Sequence, residues 1–233
     1  IVSTDFDFIL DSDPNAQESF RYVERARKEM PDKRTNELFA DAYVFEVVYA
    51  GEDGGEKKVE IWANCDFGSI REASPYAWHL ARAIGQQPAF LRESLKHVVL
   101  HSGDETAFAE ESSGFFVIYA ENMDTRLANH DLQETVFHES AHVALEAAHA
   151  QAEGWVAAQE ADVGFITRYA ERLPAKEDVP ESAIFAWVVL NHPGRLPAEV
   201  EALVREVMPN RLSYLGGIEG FVVTTDGGAG EDG

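Results

Sequence analysis

Residues 132–150 read as one helix of small and apolar side chains, among them Val136, Phe137, Ala141, Val143 and Ala144, interrupted by His138, Glu139 and His142. Asp131 can cap this helix, and Glu134, three residues on, can complete a capping box. A helix so apolar belongs inside the protein, where two imidazoles and a carboxylate without partners are costly. Residues four apart share one helix face, about 6 Å apart along the axis. Two imidazoles at that spacing can meet one metal ion, the simplest way to satisfy all three groups. The HExxH string therefore constrains the fold strongly. The chain has to build a core around this helix and bring a further ligand to it from elsewhere.

Zinc accepts nitrogen ligands at roughly 2.0–2.1 Å, and a catalytic zinc keeps one position for water. Glu139, the next residue round the helix from His138, can reach such a water and take its proton. The third ligand is open. The metzincin pattern fails, because Leu145 and Ala148 stand where its Gly and His would be. His149 lies about 10 Å from His142 by the helical rise, too far to share an ion, and reads as a surface or supporting residue. Two acidic candidates remain. Thermolysin-like spacing points near Glu160 or Asp162, although the NExxSD string expected there is absent. The other candidate is Glu177, which forms an i, i+4 acidic pair with Glu181 at the head of an apolar helix holding Ala183, Ile184, Phe185 and Trp187. The helix macrodipole alone would also favour acids there.

A length of 233 residues with 45% hydrophobic side chains suits one globular unit or two lobes around a cleft. No apolar run approaches the ~20 residues of a membrane span. The formal charge of -23 argues against nucleic acid as a partner, because its phosphates would be repelled. A single cysteine, Cys65, excludes an internal disulfide. The chain begins at Ile1 rather than methionine, which leads to the expectation of a processed or trimmed protein, secreted or at the cell surface.

Along the chain, Asp13 and Pro14 give a helix-start signal for the stretch 11–30. Asp11, Asp13 and Asn15 alternate as in a calcium loop, but Ala16 and Tyr22 stand where its Gly and Glu belong. Residues 41–50 and 57–63 read as a hairpin around a glycine-rich turn, 74–84 and 88–95 as helices, and 96–101 and 114–119 as strands. Helices follow over 132–150, 155–170, 177–190 and 197–207. The expectation is an α+β fold, a mixed half over 1–125 and a helical half over 126–223, with 224–233 as an acidic, glycine-rich tail or linker.

The string HESAH, followed by Trp155, Ala158, Asp162, FITRYA and EDVPES, resembles gluzincins, metallopeptidases whose HExxH helix is followed by an ExxAE helix. The anthrax lethal factor protease domain and bacterial Pro-Pro endopeptidases have this arrangement. The segments Asp66-Phe67-Gly68-Ser69 and Phe90-Leu91-Arg92 extend the resemblance to uncharacterised bacterial zinc peptidases. It implies a zincin-like fold with His138, His142 and Glu177 on zinc and Glu139 as general base. It further implies Tyr169 as a donor to the developing oxyanion and Glu181 as a supporting acid. Asp162 is expected behind the ligands, bonded to one of their imidazoles. The departures are Pro180 in place of alanine, Arg168 in place of a small residue, and a Tyr169 to Glu177 spacing one residue longer than in lethal factor.

The activity implied is hydrolysis of a peptide or protein substrate. In zincins an edge strand beside the active helix holds the substrate extended, and Phe116 and Val117 in the strand 114–119 are the candidates for that role. The rival expectation is a zincin fold that binds zinc without turnover, as a binding or adhesion module of a larger surface protein. A structural zinc site and a non-peptide hydrolase are further alternatives.

Overall fold

The computed structural model describes residues 6–51 and 54–223. Three antiparallel strands open the chain: β1 (Gln17–Glu29), β2 (Phe39–Ala50) and β3 (Glu56–Asn64). Helices α1 (Ile70–Gly85) and α2 (Ala89–Ser94) then cross to β4 (His97–His101), which lies parallel to β3. The short β5 (Phe108–Glu110) precedes β6 (Phe115–Tyr119) in sequence but sits outside it. The sheet order is β1-β2-β3-β4-β6-β5, with β6 parallel to β4 and β5 antiparallel on the edge.

After the sheet come α3 (Ala120–Asn129) and α4 (Leu132–Ala141). The helix of α4 continues through a π-helical turn, His142–Glu146, into α5 (Ala147–His149). The remainder comprises α6 (Glu153–Ala161), α7 (Arg168–Arg172), α8 (Asp178–Asn191), α9 (Ala198–Val207) and α10 (Pro209–Gly216). The fold is thus mixed α+β. None of the described helices is long and apolar enough to cross a membrane.

Two cores meet at α4. On one side, Leu132 and Val136 pack with Ala77, Leu80 and Ile84 of α1 against Phe45, Ile61, Val98 and Phe116 of the sheet. On the other, Phe137 and Ala141 pack against Val179, Ala183 and Phe185 of α8. Each large apolar side chain buried in this way contributes ~1.5–3 kcal/mol. Every residue of α8 from Asp178 to Val189 is buried, so its polar members need partners inside the protein. The HExxH segment is therefore held on both flanks, by the sheet and by the helix that carries the acids.

Several expectations need correction. Residues 17–29 form a strand, not a helix: Glu, Arg and Ala favour helix locally, but pairing along the whole length of β2 overrides that preference. Its exposed face is tied across the sheet by Arg21–Glu46 at 2.7 Å and Arg25–Asp41 at 2.8 Å. Asp13 does not cap a helix; it pairs with Arg195 at 2.6 Å. The helix expected over 155–170 stops at Ala161 and resumes only at Arg168. The capping box is absent, since Asp131 makes no cap bond and Glu134 instead binds the backbone of Phe8 and Ile9. The strand 114–119 is internal to the sheet, which leaves Phe116 and Val117 fully buried and unable to meet a substrate. The expected tail, 224–233, lies outside the described residues.

Candidate metal centre

His138 and His142 project from one face of the α4 helix, and Glu177 meets them from the residue that precedes α8. The Nε2 atoms of the two rings are 3.2 Å apart, and Glu177 Oε2 lies 3.2 Å from the first and 3.1 Å from the second. Three ligating atoms thus form a nearly equilateral triangle. Ligand atoms around a tetrahedral zinc are roughly 3.3–3.4 Å apart, given bonds of 2.0–2.1 Å. A nitrogen, nitrogen, oxygen donor set at this separation could hold a metal ion.

The opposite ring nitrogens strengthen that fit. His138 Nδ1 faces Glu181 Oε1 at 3.1 Å, and His142 Nδ1 faces Glu146 Oε2 at 2.5 Å. A carboxylate behind each imidazole favours the proton on Nδ1, so that the neutral ring would offer its Nε2 lone pair to a metal. Glu181 is itself fixed, because its Oε2 accepts from Thr167 Oγ1 at 2.6 Å. Thr167 also caps α7, accepting from Ala170 N at 3.1 Å. Glu177 Oε1 accepts from the Tyr169 hydroxyl at 2.9 Å. His138 and Glu177 are thus oriented by neighbours from other parts of the fold, and His142 by Glu146 within its own π-helical turn.

The electrostatics follow from crowding. Burial works against charge on His138, but hydrogen bonds to Glu177 and Glu181 outweigh it and push the ring up to about 10. For His142 burial again opposes the charged ring, and Glu177 overcomes it, so the ring is raised. Glu177 sits well below the ordinary carboxylate range, because the two imidazoles more than offset its burial. Burial raises Glu139, whose neighbouring imidazoles only partly compensate. Its carboxylate has no hydrogen-bond partner among the described residues and faces both cavities that flank the triangle, of about 270 and 200 Å³. A carboxylate raised towards neutrality and open to a cavity suits proton transfer. The hydroxyl of Tyr169, a residue 39% exposed, is pushed up by burial and by Glu177.

The structure thus brings together His138, Glu139, His142, Tyr169, Glu177 and Glu181. It does not bring Asp162 or Glu160 there. Glu160 is an exposed residue of α6. Asp162 accepts from Asn210 N at 2.8 Å and from Arg211 Nε at 2.9 Å, so it anchors α10 rather than an imidazole. Glu146, Thr167 and Glu111 were not foreseen. Glu146 stands four residues after His142, the same helical spacing that links the two histidines, and that spacing was its available signal. Glu111 reaches the same His142–Glu146 pair from the turn after β5. His149 bonds the Tyr214 hydroxyl at 2.8 Å, away from the centre. Comparison of the chain with family models, with curated proteins and with solved structures yields no match.

Proposed function

We propose that this chain is a zinc-dependent peptidase of the gluzincin kind, on a zincin-like fold. One observation carries the reading: two imidazole Nε2 atoms and one carboxylate oxygen converge at 3.1–3.2 Å, while a carboxylate backs the far nitrogen of each ring. Ion pairing alone does not require both rings to aim at a single oxygen. His138, His142 and Glu177 would hold zinc, which supplies Lewis acidity for a carbonyl and lowers the pKa of a water.

The remaining roles belong to side chains. Glu139 takes the proton of the attacking water and passes it to the leaving amine. Its raised affinity for a proton suits both halves of that transfer. Tyr169 holds Glu177 in this structure, and its hydroxyl is the donor available to an oxyanion once that bond is exchanged. An extended substrate would lie along β5, the sheet edge whose Phe108 and Ala109 border the same cavity as His142 and Glu139.

The test is Glu139→Gln. Zinc stays bound at one equivalent while cleavage of a peptide library falls by about 10³-fold or more. Equal cleavage by the variant sinks the mechanism. Bound zinc with no cleavage by the unaltered protein replaces it with the binding-module reading.

A further inference from the structure

The cavity beside the N-terminal half of α4 holds a carboxylate that the chain itself leaves half used. Glu134 lies one turn before His138, is 8% exposed, and lines the cavity of about 270 Å³ together with Phe8, Thr135 and Ile184. Its Oε1 accepts from the backbone N–H groups of Phe8 and Ile9 at 3.0 and 3.1 Å. Its Oε2 has no partner, and no cationic side chain pairs with it among the described residues. The cation on this wall, Arg126, is bound to Asp131 Oδ2 at 2.9 Å, so its charge is already answered. The other Asp131 oxygen also lacks a partner. Burial pushes Glu134 up to about 7, the cost of a carboxylate oxygen without a donor, and a cationic donor that reached it would favour the charged form and recover that cost. His138, Glu139 and Tyr169 line the same cavity, so a group seated on Glu134 lies beside the candidate metal centre and can belong to a molecule that reaches it. The volume falls below the roughly 300–1,000 Å³ of pockets for whole ligands and suits one side chain.

We propose that this cavity selects a cationic group of the substrate, an ammonium or guanidinium near the bond that is cut, with Glu134 as its recognition carboxylate. This rests on the reading of the metal centre as a peptidase site. The formal charge of -23 acts in the same direction, by steering cationic peptides towards the protein.

The test measures binding rather than turnover. Zinc-loaded Glu139→Gln protein is titrated by fluorescence anisotropy into labelled alanine-based octapeptides. One lysine is walked through the positions, each peptide has a norleucine twin, and each is made with a free or an acetylated N-terminus. At one position lysine should bind about tenfold tighter than norleucine. Adding Glu134→Gln, which keeps an acceptor for Phe8 and Ile9, should erase that difference. Equal twins that both bind about tenfold more weakly once acetylated assign the ammonium to the substrate's N-terminus and still support the proposal. Equal twins at every position with no effect of acetylation, no binding at all, or a preference that survives Glu134→Gln overturns it. The twin comparison needs no change at Glu134, so a misfolded variant does not disarm it. A cation preference in a protein that cleaves nothing sinks the peptidase reading alone, and cleavage without preference sinks this proposal alone.

Discussion

His138 Nδ1 meets Glu181 Oε1 at 3.1 Å, and this contact turns the other ring nitrogen towards His142 and Glu177. Glu181 is held by Thr167, so three elements set the angle of one imidazole. Removing such a support typically weakens a metal site by about 10–100-fold without removing a ligand. Glu181→Ala is expected to lower zinc affinity within that range, and Thr167→Val to do so by less. Competition with a chromophoric chelator reads both. Unchanged affinity in Glu181→Ala would show that ring orientation does not depend on this carboxylate.

Zinc should also stabilise the fold. A ligand present at a thousandfold excess over its Kd adds about 4 kcal/mol. The melting temperature should therefore rise with added zinc and fall with chelator. His142→Ala, which removes a buried ligand, should flatten that response, as thermal scans at several zinc concentrations would reveal.

Arg211 provides a control away from the candidate metal centre. It is fully buried between Asp162 at 2.9 Å and Asp178 at 2.5 Å. Breaking one arm of such a pair leaves charge uncompensated and costs ~3–5 kcal/mol at the upper end. Asp162→Asn should lower stability by about 2–4 kcal/mol in urea unfolding while zinc stoichiometry stays at one equivalent. Loss of zinc at unchanged stability would instead return Asp162 to the metal site.

His97 sets a pH dependence. Its ring stacks on Trp62 at 3.5 Å and on Phe115 at 4.5 Å, and its Nε2 is buried without a partner. Burial pushes it down to about 4 from an ordinary value of 6.5. Because the folded pKa is depressed, the unfolded chain binds more protons between these values. The stability present above pH 6.5 is therefore lost as pH falls towards 4. After allowance for its partial exposure, this amounts to about 2 kcal/mol. His97→Phe should remove that limb. Parallel urea titrations of the two proteins between pH 4 and 7 measure it.

The convergence of His138, His142 and Glu177 was legible because its parts obey local rules. His138 and His142 share a helix face by spacing, and Glu177 with Glu181 repeats that spacing at the head of another apolar helix. Asp162 and Glu177 could not be ranked from the residues alone, because the choice depends on where Arg211 lands, and Arg211 arrives 49 residues after Asp162. The strand at 17–29 was hidden for a related reason: its charged residues favour helix locally, and only pairing with β2 makes them a strand. The edge position of β5 was also illegible. Three residues carry no strand signal, and β5 lies outside β6 although it comes first in the chain. Periodicity marked the apolar helices and the buried strands, whereas β1, β5 and the neighbour of each element depended on long-range packing.

Glu177 comes thirty-five residues after His142, and three helices, α5, α6 and α7, lie between them. A metal held by both ends would act as a cross-link, closing this segment into a loop and reducing the conformational freedom of its open states. Its loss would be felt first where the segment has least regular structure, between Ala161 and Arg168 and between Arg172 and Asp178. An ion held there would be the clasp that shields this segment from proteolysis, and chelation would leave the segment open to attack.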